Sequence, residues 1–406
     1  MKRFFETLIA APATFVRAPR AARVGMFLFF AAAVADGILM PFFALWAYKV
    51  AGIRIEFIGL LLGCYAGGEL VATPFVGGIA DRVGRRPVLL VSTVGVGFGF
   101  VLLYFVHGAV AAAAALITIG VFESVLHPTA STVIADVVPA AARRQHFAAR
   151  RVMSNAGSMA GPALGAVLAL HSLGLVFLGA GVTILVGALV VAIFLVETRP
   201  PDAAPGEDDD DDDSLRALTA VFRDSRLARL IIPVAVLEVA ASWIASITPL
   251  YADAGGTLTA SGIGLLFTYA GALGVLLQMP ITQASERMSG FSIVLWSGAL
   301  QAVAFACLLV APVLPLLIAA VTLLALGQML SGPLVQTIIT ELAPRTAQAT
   351  YQAAFGVVND LKDAAGPAIG TWLFAFSAGL PWATGAAVSI AAALGLAAAV
   401  HKHDKP

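Results

Sequence analysis

Charge is scarce in this sequence. Asp, Glu, Lys and Arg make up 12% of its 406 residues, against a soluble average of about 25%, which excludes an ordinary water-facing surface. The formal net charge is zero, so no basic excess points to nucleic acid or to an anionic surface. Cysteine is nearly absent: Cys64 and Cys307 lie singly inside apolar runs, which excludes a disulfide framework or metal-ligand spacing and leaves them as packing residues. No Gly-rich loop ending in Lys-Ser or Lys-Thr occurs, so there is no phosphate cradle through which to use ATP. No nucleophile with a spaced base occurs either, which argues against an enzyme.

Apolar residues are what the chain has instead, at 60%. A bilayer core of about 30 Å takes roughly 20 apolar residues per helix, because every backbone polar group must be paired within the segment. Windows of that kind predict spans at 24–48, 57–79, 87–107, 109–137, 148–170 and 173–196, then 228–251, 261–284, 291–311, 313–342, 350–378 and 380–400. Ahead of the first, Lys2 and Arg3 precede an apolar patch like that of a signal peptide. Glu6 and Pro12 interrupt it, so it reads as a retained lead-in.

Basic residues resist translocation and collect on the cytoplasmic side. Of 24 Lys and Arg, 21 fall on one side of these spans; Lys49 and Arg54 lie opposite, and Lys362 lies within a helix. Both termini are therefore expected in the cytoplasm, with the chain multi-pass in the inner membrane.

A repeat runs through the sequence at an offset of 205 residues. Ile58-Gly59-Leu60-Leu61 recurs as Ile263-Gly264-Leu265-Leu266. Pro128, Thr132, Asp136 and Pro139 recur as Pro333, Thr337, Glu341 and Pro344, and Gly161-Pro162 with Gly165 recurs as Gly366-Pro367 with Gly370. Two duplicated six-helix halves follow, expected at 1–196 and 228–406. The polar linker 197–227 between them carries an acidic run from Glu207 to Asp213 that reads as a solvated segment, then a short amphipathic helix from Ser214.

Between the second and third spans lies Gly77-Gly78-Ile79-Ala80-Asp81-Arg82-Val83-Gly84-Arg85-Arg86, read as a tight loop whose Asp and Arg residues set both charge signs at one seam. This segment resembles the signature loop of the major facilitator superfamily, with Ile79 as a departure. The resemblance implies an all-α membrane fold of twelve helices in two pseudo-symmetric bundles. It also implies a conformational latch of Gly77, Asp81, Arg82, Gly84, Arg85 and Arg86, with Asp81 facing the end of the eleventh helix and Arg85 paired with Asp136.

In the fifth span, Gly157, Gly161, Pro162 and Gly165 form a small-residue face with a proline bend. The pattern resembles the helix-5 motif of drug:proton antiporters, with Ala166 where a second glycine is usual. The arginine common in helix 4 of those antiporters is Leu116 here.

Ionisable residues inside a membrane are costly and need a cavity or a partner. They are Asp36, Glu69, Glu123, His127, Glu238, Asp360, Lys362 and Asp363. The resemblance places Asp36, Glu123 and Glu238 on helices lining the central cavity. Desolvated carboxylates there can exchange protons, with Glu123 and Asp36 the leading candidates, then Glu238, then Asp360 and Asp363. His127 either tunes such a site or merely satisfies it; an ion pair with Lys362 is the preferred account of the last two acids, and a structural hydrogen bond to the eleventh helix or the loop that of Glu69. Phe42, Phe43, Trp46, Trp243, Tyr251, Tyr269 and Trp372 could stack on a substrate but mostly face lipid or other helices.

The function expected is proton-coupled efflux of lipophilic neutral or cationic small molecules by alternating access. No cofactor is needed beyond the proton gradient, and the partners are substrate, protons and bilayer, the chain acting as a monomer. An uptake symporter for a small metabolite and a non-transporting receptor or scaffold are the alternatives.

Overall fold

The structure, a computed structural model, describes residues 14–199, 224–343 and 348–403. The acidic run, the helix expected from Ser214, the N-terminal lead-in and Arg345 lie outside them. Among the described residues the architecture is all helical. Its long helices are α1 Arg20–Lys49, α2 Ile55–Val83, α3 Arg85–Phe105, α4 Ala109–Val137, α5 Ala140–Ala169, α6 Leu173–Phe194, α7 Ser225–Ala254, α8 Ala260–Ser285, α9 Gly290–Val310, α10 Leu314–Leu342, α11 Gln348–Phe376 and α12 Leu380–His403.

Helix starts fall where the chain offers a cap. Ser172 Oγ accepts from Gly174 N–H before α6, Asp224 Oδ1 from Arg226 N–H before α7, and Ser289 Oγ from Ser292 N–H before α9. The segment read as a loop proves almost entirely helical. Gly77–Val83 are the last turns of α2, and Gly84 alone is out of helix, at φ +106, a conformation that only glycine reaches cheaply.

Ten of the twelve helices are long and apolar enough to cross a bilayer by composition, α5 and α11 being the exceptions among the described residues. α5 starts at Ala140, eight residues before the span expected at 148. A hydropathy window stops at Arg143, Arg144, Arg150 and Arg151, whereas the alanines between them keep the backbone helical.

Two compact units divide the chain. The first holds 1–53, 64–207 and 260–271, and the second holds 54–63, 208–259 and 272–406. In the first unit α1 packs on α5 and α6, and α3 on α4 and α6. In the second, α7 packs on α11 and α12, and α9 on α10 and α12. The helix pairings are thus the same, taken six helices later.

The atomic contacts repeat as well. A methyl group on Gly161 would stand 2.4 Å from Val34 O, and one on Gly366 would stand 3.3 Å from Val239 O. One on Gly59 would stand 2.1 Å from Pro367 O, and one on Gly264 would stand 2.8 Å from Pro162 O. Thr132 Oγ1 donates to Pro128 O at 3.1 Å, and Thr337 Oγ1 to Pro333 O at 2.9 Å. Each second member is the first displaced by the 205-residue offset.

Aromatic side chains fill the interiors of both units. Trp46 meets Phe177 edge-on at 5.1 Å with Phe43 beside them, and Phe42, Phe43 and Trp46 are fully buried. In the second unit Trp382 packs on Tyr251 and Phe305, Tyr251 Oη donating to Leu308 O. Tyr269 and Trp372 are exposed.

The α1–α5 seam yields a prediction. Gly161→Val forces the helices apart, and overpacking of this kind costs about 1–3 kcal/mol. Gly274→Ala, which has open space around it, should be neutral. Size-exclusion chromatography of detergent-extracted protein after a heating series should show Gly161→Val losing its monodisperse peak at lower temperature. Equal survival of the two variants would refute the seam.

Candidate functional site: a buried carboxyl cluster and a charged node at the helix ends

Glu123 on α4 is 2% exposed. Gly120, one turn earlier, explains how the second helix reaches it: a methyl group there would lie 2.1 Å from Tyr65 O and 3.0 Å from Glu69 N. With no side chain in the way α2 lies directly against α4, and Tyr65 Oη donates to Glu123 Oε2 at 3.1 Å. Asp36, from α1, and Glu69 both lie within electrostatic reach of Glu123 and of Tyr65. Glu69 therefore belongs to this cluster.

His127 lies one turn beyond Glu123, its Nε2 3.8 Å from Glu123 Oε1 and without a hydrogen-bond partner among the described residues. Its ring stacks on Phe29 at 5.1 Å. The Arg150 guanidinium lies 4.4 Å from the centroid of that Phe29 ring, and Arg150 Nη1 donates to Ser131 Oγ. Phe29 thus has an imidazole and a guanidinium packed on it, tying α1, α4 and α5 together. Tyr65, Phe29 and Arg150 were not singled out by sequence. A tyrosine one turn before Glu69, and an arginine seven residues before Gly157 on the same helix face, were the available signals.

The helix-5 motif holds α1 in place. Gly157 faces Phe30 O, Gly161 faces Val34 O, and Gly165 lies under the Phe42 ring. Pro162 presents its Cδ to Gly37, the residue after Asp36. Leu116, where the antiporter arginine would stand, is a fully buried apolar residue.

In the second unit Glu238 on α7 lies within electrostatic reach of Lys362 and Asp363 on α11, and Lys362 Nζ is 3.6 Å from Asp363 Oδ1. The Asp360 side chain lies outside the described residues, as do those of Gly77 and Asp81.

At the helix ends of the first unit, Arg85 is 6% exposed, its Nε 3.3 Å from Asp136 Oδ2 and its Nη1 donating to Ala80 O. Glu197, just past α6, completes the node. Its carboxylate accepts from the backbone N–H of Arg85 and Arg86, the first two residues of α3, and of Thr198 and Arg199. Thr198 Oγ1 donates to Asp136 Oδ2, and Arg199 Nη1 to Arg82 O. The ends of α2, α3, α4 and α6 are thereby joined.

A profile described as the Major Facilitator Superfamily matches residues 25–367. The chain belongs to that superfamily. Among proteins similar to this transporter is the tetracycline resistance protein, class C, of Escherichia coli, 27% identical over 81% of this chain and 84% of its own. The class D protein of Salmonella ordonez is 24% identical over 84% and 86%. A crystal structure of the nucleoside transporter NupG superposes with a TM-score of 0.78 at 12% identity, covering 95% of this chain and all of the other, a likeness of fold alone. This superfamily member is thus a multi-pass membrane transport protein.

Burial disfavours the Glu197 carboxylate, but four backbone N–H donors outweigh it and hold the group below the ordinary glutamate range. A depressed folded-state value contributes stability above the unfolded value, lost as pH falls through the folded one. Glu197→Gln should therefore lower the thermal midpoint in detergent at neutral pH, by an amount of the order of a lost helix cap, about 1 kcal/mol. The difference from the parent should vanish once pH is below the glutamate range. A gap between the two that does not change with pH would disprove the ionised cap.

Proposed function

We propose that this transporter exports lipophilic neutral or cationic small molecules in exchange for protons, by alternating access in the inner membrane with both termini in the cytoplasm. The observation that carries the proposal is the meeting of Asp36 with Glu123, a carboxyl 2% exposed and bonded to Tyr65. The tetracycline resistance proteins among the relatives favour drug-type export over uptake.

Exchange needs substrate and proton to exclude each other at one site. A carboxyl pair with two protons is neutral, and with one it carries a single negative charge that a cation or a strong dipole can neutralise in the proton's place. In a low dielectric either occupancy is worth far more than in water, so the doubly vacant state is disfavoured and the empty site is driven to reload. Tyr65 would orient Glu123, and His127 would sit as its nearest basic neighbour. The energy comes from the proton gradient, without a cofactor.

Everted vesicles with an acid interior and a labelled lipophilic cation provide the test. The parent should accumulate label with proton exit, and Glu123→Gln should fall to the level of empty vesicles while still catalysing counterflow without a gradient. Tyr65→Phe should keep transport but displace the pH of its half-maximal rate. Gradient-driven accumulation by Glu123→Gln would end the coupling proposal, and label moving in the same direction as protons would assign symport.

A further inference from the structure

A groove of about 520 Å³ lies between the first turns of α1 and the last turns of α6, lined by no residue of the carboxyl cluster or the charged node. Its walls are Phe15, Phe27, Val190 and Phe194, with Arg20 and Arg23 among the lining residues and no carboxylate. The Arg20 guanidinium lies 4.8 Å from the Phe194 ring centroid, which fixes its plane and leaves edge N–H donors available. Both arginines are exposed, and among the described residues neither has an ion-pair partner.

Beside the groove α6 presents an apolar stripe. Val182, Val186, Leu189 and Ile193 of α6 are all exposed, and their spacing of four, three and four residues sets them on one helix face. In a membrane-spanning helix such a face meets acyl chains. One end of the site is therefore apolar and open to lipid, and the other is doubly cationic with no ion-pair partner among the described residues. A second groove, of about 440 Å³ between α3 and α4, is lined by Leu90, Val94, Phe98 and Phe122 without a charged residue. It would accept any acyl chain and distinguish no headgroup.

We propose that the α1–α6 groove is a binding site for one anionic phospholipid, its phosphate held by Arg20 and Arg23 and an acyl chain lying along the exposed face of α6. Two basic residues at a membrane surface contribute roughly 30-fold in affinity for an anionic headgroup.

Native mass spectrometry of the full chain in detergent, titrated with dioleoyl phosphatidylglycerol against dioleoyl phosphatidylcholine, tests this. The parent should prefer the anionic lipid, Arg20→Gln/Arg23→Gln should lose that preference by roughly 30-fold, and Arg20→Lys/Arg23→Lys should keep most of it. Elution as a single monodisperse species identifies folded variants, both substitutions being on exposed side chains. Equal binding of the two lipids by the parent, or an unchanged preference in the glutamine variant, overturns the proposal. Release of bound phosphatidylglycerol by inorganic phosphate alone would assign the site to a soluble anion and overturn it equally.

Discussion

The approach of α5 to α1 at Gly161, close enough that a single methyl group would strike Val34 O, underlies the arrangement of the first unit. Helices in a bilayer gain nothing by hiding apolar surface from one another, since lipid is equally apolar, so they associate through close packing and polar contacts. A glycine face is the most direct means of obtaining that packing. It places Asp36 where α4 and α2 can reach it, while Gly120 does the same for Tyr65 against Glu123. The carboxyl cluster is a product of backbone proximity, and its chemistry follows from which side chains those backbones carry.

The node around Arg85 obeys a different physics. There the partners are helix ends, where backbone N–H groups lack intrahelical acceptors. Glu197 supplies the acceptors for α3 and does so with a full negative charge at the positive end of the helix dipole. Gly84, by turning the chain within a single residue, makes α2 and α3 abut so closely that the node needs no loop to build it. The cluster and the node share α2 and α4, so a change in either helix acts on both.

Much of this was legible in the sequence because membrane physics is restrictive. Ten of the helices are long and apolar enough to read by composition, and the 205-residue offset survived because Gly161 and Gly366 answer the same steric demand. The implied partner of Arg85 could be named because both residues belong to a recognisable pattern, and the two are 3.3 Å apart. What stayed hidden was contact between helices distant in sequence. Tyr65 and Glu123 are separated by 58 positions, and a lone tyrosine in an apolar run looks like packing until a carboxylate is found opposite. Glu197 was hidden for a related reason: an acid at the end of a span looks like solvated punctuation, and only the folded chain shows four N–H groups around it. The early start of α5 was missed because hydropathy measures solvent preference, whereas alanine keeps a helix going into water.

The duplication also shows where geometry and chemistry part company. Displaced by 205 residues, Asp36, Tyr65, Glu69, Glu123, His127 and Arg150 correspond to Ala241, Ala270, Gly274, Gln328, Gly332 and Phe355. In reverse, Glu238, Lys362 and Asp363 correspond to Ala33, Gly157 and Ser158. Not one ionisable side chain of either cluster has an ionisable counterpart, although the glycine contacts and proline back-bonds beside them are shared. Steric demands are identical in the two halves and so hold both copies to the same residues. Under the proposed exchange one carboxyl pair per transport cycle suffices, and a second copy would add the cost of another buried charge. In the second unit Lys362 lies 3.6 Å from its neighbouring acid, whereas the charges beside Glu123 include two further carboxyls, Asp36 and Glu69. Under the proposed exchange the first unit would therefore carry the exchangeable proton, and the second an ion pair.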